Sequence, residues 1–187
     1  MSDNHDPLAP LLFTPRVLWF ALFMSNILVF SVVAAVVVPP DEPFDMLMLY
    51  VLAAVAVGAG VAQVIIPRRI EAALLATAQA DTEERADPNA SVIFREAAPT
   101  VRYFANPPAA AKTAAALFHT PFILRLALSE SIGMYGVILV ALGCPLEQAI
   151  AFPLIGAVLI ARLFPTRKSI MAPLEGHFGA RMPEPGR

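Results

Sequence analysis

A single carboxylate, Glu130, stands in an almost wholly apolar run, A-L-S-E-S-I-G-M-Y-G-V-I-L-V-A-L-G (127–143). An acid at the centre of a bilayer costs about 2.5–3.5 kcal/mol, so one that is kept there marks a candidate functional group. Protonation and hydrogen bonding lower that cost. A mid-membrane carboxyl is therefore a natural place to bind and release a proton, or a small cation held by neighbouring oxygens. Ser129 and Ser131 flank the acid, and Tyr135 follows Ser131 by four residues and shares its helix face. Gly133 and Gly136 remove bulk where a second helix can approach. Gln63, three residues after Gly60 in V-G-A-G-V-A-Q, adds an amide oxygen. Carboxylate, amide, hydroxyl and backbone carbonyls together make a hard-cation donor set. Glu130, Gln63, Ser131 and Tyr135 thus form a candidate site for H+ or Na+, with Ser25, Asn26, Arg125 and Ser129 as supporting polar residues. The plainer alternative is that these groups only hydrogen-bond helices to one another.

Four stretches must position them. About 20 apolar residues in a helix cross a bilayer core, and 17–38, 44–66, 121–143 (with an extension back to 114 left open) and 146–164 meet or approach that length, the last being short and interrupted by Pro153. The expected fold is all-α: a cytoplasmic tail (1–16), a first transmembrane hairpin (17–66), a cytoplasmic connector (67–120), a second hairpin (121–164) and a cytoplasmic tail (165–187). Of 187 residues 58% are hydrophobic and 15% charged, where a soluble domain carries about 25% charged residues; mean hydropathy is +0.67.

The thirteen Lys and Arg residues all fall outside the two hairpin connectors, P-P-D-E-P-F-D (39–45) and C-P-L-E-Q (144–148). The positive-inside rule then puts both termini in the cytoplasm of a cell whose inner membrane holds the chain. Within the connector, R-R-I-E-A-A-L-L-A-T-A-Q-A reads as a helix running on from Pro67. D-T-E-E-R-A-D-P-N-A-S reads as a polar break, and E-A-A-P-T-V-R-Y-F-A-N-P-P as irregular, giving a small cap rather than a domain. The tail P-L-E-G-H-F-G-A-R-M-P-E-P-G-R is expected to lack regular structure.

The two hairpins resemble each other. Each enters after an Arg, carries a Ser and a polar residue in mid-span (Ser25-Asn26, Ser129-Glu130), turns at a Pro and returns to a Pro followed by basic residues. As a parallel internal repeat, this makes Asn26 the uncharged counterpart of Glu130. The net charge of −2 argues against nucleic acid as a partner, and Cys144, the one cysteine, excludes an internal disulfide. His5, His119 and His177 are far apart, and no H-E-x-x-H, G-x-S-x-G, P-loop or G-x-G-x-x-G pattern occurs, so nothing points to an enzyme.

The run S-E-S-I-G-M-Y-G-V-I-L-V-A-L resembles the carboxylate helix of the c subunit (proteolipid) of rotary ATP synthases, and V-G-A-G-V-A-Q-V-I-I-P-R-R-I-E is similar to that family's other helix. The likeness covers roughly 55–71 and 126–142. It implies Glu130 as the ion carboxylate, with Gln63, Ser131 and Tyr135 as its ligands or hydrogen-bond partners. Four narrow helices enclose no pore, so transport implies a homo-oligomer or a partner membrane subunit. A non-transporting structural or assembly subunit is the rival expectation.

Overall fold

The computed structural model describes residues 8–37, 44–86 and 100–183; the first hairpin's connector at 38–43, part of the central connector at 87–99 and the extreme ends lie outside the described residues. The chain is mostly helical, with one two-stranded sheet. Its elements are α1 (Ala9–Val36), α2 (Met46–Ala76), β1 (Thr82–Ala86), β2 (Thr100–Phe104), α3 (Pro107–Ala141), α4 (Leu146–Ala149), α5 (Ala151–Arg162) and α6 (Arg167–Phe178). Three of them, α1, α2 and α3, are long and apolar enough to cross a membrane, which is consistent with a membrane location.

The chain divides into two compact units. One is built from 14–70 and 120–164, the other from 1–13, 71–119 and 165–187. A buried proline, Pro15, Pro67, Pro121 or Pro165, lies within four residues of each point where the chain passes from one unit to the other. The first three are inside helices, where each removes one N–H from the backbone ladder.

In the first unit the helices alternate in direction. At one end Trp19 of α1 donates its indole N–H to the carbonyl of Ile160 on α5 at 2.6 Å, and its ring meets Phe164 edge-on with centroids 5.1 Å apart. At the other end Phe30 of α1, Leu139 and Val140 of α3 and Phe152 of α5 form one apolar cluster, against which Leu49, Leu52 and Ala53 of α2 pack. The turn after α3 is a Schellman motif. Gly143 takes φ 86°, Gly143 N–H donates to Val140 O at 3.0 Å and Cys144 N–H to Leu139 O at 2.9 Å, so the orphan carbonyls at the helix end are satisfied. Only 11% and 6% of the most apolar stretches of α1 and α2 are buried, against 39% for α3, which makes α3 the central helix.

The second unit corrects two expectations. The tail from Pro173 was expected to lack regular structure, but residues 173–178 complete α6. This helix starts in a reciprocal cap between Thr166 and Ser169 and ends at Gly179 with φ 61°, a left-handed stop that glycine makes without steric cost. The central connector, expected as an irregular cap, contains an antiparallel pair with Glu84 opposite Arg102 and Thr82 opposite Phe104. Arg181 continues the sheet beyond β2, with its N–H donating to Arg102 O at 2.8 Å. These elements bury Phe104, Ile170, Met171 and Leu174 with Leu8 and Leu12 and the alanines of α3's first turns. Apolar residues at Ile170, Met171 and Leu174 recur at helical spacing, and α6 buries that stripe. Of the residues that suggested irregularity, Pro107 opens α3 and Gly179 stops α6, while Pro173 and Gly176 lie inside α6.

Candidate functional site

The polar residues singled out in the sequence lie on α1, α2 and α3, and those of α3 are on different faces. Gln63, 7% exposed, donates from Nε2 to the hydroxyl of Ser129, which is fully buried, at 2.7 Å. Ser129 donates onward to the carbonyl of Arg125 at 2.8 Å. The structure thus gives Gln63 a neighbour of Glu130 as its partner. Ser131 donates to its own helix, at Leu128 O, 2.8 Å away. Tyr135 is half-buried against the apolar cluster of α1, α2, α3 and α5. Ser25 and Arg125 are half-buried on α1 and α3.

Glu130 itself is half-buried, and among the described residues no hydrogen bond or ion pair reaches its side chain. Successive residues of a helix are rotated by about 100°. Ser129 and Ser131 therefore point about 100° to either side of Glu130, and Tyr135 about 140° away. The exposed Ile123, Met134 and Ile138 lie within about 80° of it. Glu130 borders the outward apolar stripe of α3, while the Gln63–Ser129 pair is sealed inside. Among the described residues no group of three metal-ligating side chains occurs.

Among the described glycines, the closest helix approaches begin one turn beyond Glu130. Gly133 of α3 faces Gly156 of α5, and a methyl placed on Gly156 would sit 3.0 Å from Gly133 N and 3.0 Å from Ser129 O. Asn26 of α1 is wedged into this contact. A methyl on Gly133 would meet its Cγ at 2.7 Å, and one on Gly156 its Nδ2 at 2.8 Å. Gly136, a turn further on, leaves room for Pro153 and the Ala149 carbonyl, which would lie 2.6 and 2.8 Å from a methyl there. Asn26 is 3% exposed, yet neither its amide nitrogen nor its oxygen has a partner among the described residues. The sequence marked Asn26, Gly133 and Gly136 separately. The room that Gly133 and Gly136 leave for a second helix was read; that α5 with Gly156 fills it, and that Asn26 enters beside Gly133, went unread. In contrast, Gly58 and Gly60 of α2 have open space around them.

Cys144, in the turn between α3 and α4, is buried, and that burial pushes its thiol up from the ordinary value. It belongs to the apolar cluster and is a packing residue. Comparison with protein-family models, curated proteins and solved structures gives no match.

Proposed function

We propose that the chain is a four-span integral membrane protein in which Glu130 binds and releases a proton within the bilayer. Leu146–Arg162, seventeen residues, supplies the fourth span. At 1.5 Å per residue it reaches about 25 Å, close to the hydrocarbon thickness. The basic residues around the chain's ends and central connector assign those parts to the cytoplasmic side.

The observation that carries the proton reading is the unpartnered carboxyl of Glu130 at the border of an outward apolar face. Protonation lowers the burial cost of such a group without a partner residue. A sodium ion needs several converging oxygens, whereas Ser129 and Ser131 point about 100° and Tyr135 about 140° away from Glu130 around α3, and Gln63 meets Ser129 on the sealed side. The likeness to the proteolipid helix gives the same carboxyl an ion-binding duty. A second reading, a structural or assembly subunit, is favoured by the sealed Gln63–Ser129 pair and the Asn26–Gly133–Gly156 contact. Comparing proton uptake by reconstituted wild-type protein and Glu130→Gln across a pH titration separates the two. One additional titrating group per chain in the wild type supports proton exchange; identical curves sink it and leave the structural reading.

A further inference from the structure

The charged residues of the helical unit are segregated from end to end. Its arginines Arg16, Arg68, Arg69, Arg125 and Arg162 lie where α1 and α3 enter the unit and where α2 and α5 leave it. The described carboxylates Asp45 and Glu147 lie at the opposite end, with Glu130 between. Arg16 rests over the Phe164 ring, 5.7 Å from its centroid, and Arg125 is half-buried. Arg68, Arg69 and Arg162 are different: they are exposed and make no ion pair with a described residue.

Each of these three follows exposed apolar surface. Val64, Ile65 and Ile66 precede Arg68 and Arg69, and Ile155 and Val158 precede Arg162. A guanidinium set at the edge of an apolar face matches a molecule with the same two parts, an acyl chain along the helix and a phosphate at its head. The guanidinium fork binds phosphate oxygens in bidentate fashion. A zwitterionic headgroup brings its own cation to the same place, so the uncompensated arginines favour lipids with net negative charge.

We propose that the arginine end of the helical unit is a binding surface for anionic phospholipid headgroups, with Arg68, Arg69 and Arg162 contacting the phosphates. The proposal rests on the membrane-spanning reading above. It goes beyond orientation by charge, because it requires selection among lipids in a membrane already entered. A basic residue at an anionic surface favours it by about fivefold in association constant, and added salt screens the effect.

The protein carries its own probe. Its one tryptophan is Trp19, half-buried and bonded to Ile160, two residues before Arg162. The full chain is reconstituted into phosphatidylcholine bilayers containing, at equal mole fraction, either phosphatidylglycerol or phosphatidylcholine brominated high in the acyl chain, and quenching of Trp19 is compared. The expected result is stronger quenching by the brominated phosphatidylglycerol at low salt. The excess shrinks in Arg162→Gln, disappears in the triple variant R68Q/R69Q/R162Q and fades in the wild type at high salt. Equal quenching by the two lipids, or a preference that survives high salt or the triple substitution, overturns the proposal. Absence of quenching by either lipid would instead overturn the spanning reading on which it rests. Should the triple variant fail to insert, the wild-type salt series alone decides.

Discussion

Asn26 is the residue whose position is hardest to reconcile with its chemistry. An amide 3% exposed with both polar atoms unpartnered among the described residues loses a desolvation cost of about 1–3 kcal/mol, and it does so where two glycines leave it just enough room. Two consequences follow for substitutions. Gly133→Ala drives a methyl into the Asn26 side chain and is expected to destabilise the bundle by about 1–3 kcal/mol. Asn26→Ala removes the obstructing amide, so the double variant is expected to recover most of that loss. Gly136→Ala meets Pro153 and the Ala149 carbonyl instead, and Asn26→Ala leaves its cost unchanged. Reversible unfolding in mixed micelles measures all of these, and strict additivity at 26 and 133 would contradict the geometry. At this scale the sequence was legible in part. Polar residues stand out in apolar runs because lipid gives them no partner, so Asn26, Gln63, Ser129 and Glu130 could all be picked out. Which of them meet depends on how each helix is rotated. Hydropathy does not set that rotation, and Gln63 met Ser129 where Glu130 was expected.

The elements divide by how their sequence signals are carried. The long helices announce themselves by composition, and their apolar stretches were located correctly, but α1 and α3 begin well before the expected spans, at Ala9 and Pro107. Pro15 and Pro121 lie inside these helices, and a helix supported by packing continues through such a proline with one bond missing. The short elements were missed for the opposite reason. The segment 180–182 carries no period of its own and is held by the Arg181 bonds to β2, by Met182 N–H donating to Glu175 Oε1 at 3.1 Å and by the burial of Ala180 and Met182. Removal of residues 180–187 is therefore expected to strip β2 of a neighbour and to open the cover over Phe104. Limited proteolysis should then cleave within 82–104 several-fold faster, while Trp19 emission, which reports on the helical unit, stays unchanged. Equal cleavage rates would show that the terminal strand contributes nothing to this unit.

Over the whole molecule, apolar surface and charge are sorted as a bilayer would sort them. The outward faces of α1 and α2 are exposed along most of their length, and the arginines of the helical unit gather at one end of it. Within this arrangement Glu130 is the described charge of the helical unit that lies between the two ends, and it has no partner among the described residues. The most direct test of its duty is covalent labelling of the membrane-embedded protein by a hydrophobic carbodiimide, located by mass spectrometry and repeated across pH with and without sodium. Such reagents require a protonated carboxyl within reach of lipid. Proton exchange predicts modification at Glu130 that falls as pH rises and is indifferent to sodium. Protection by sodium would contradict the proton assignment in favour of a cation site, and absence of labelling at every pH in a folded protein would contradict an exchanging carboxyl altogether.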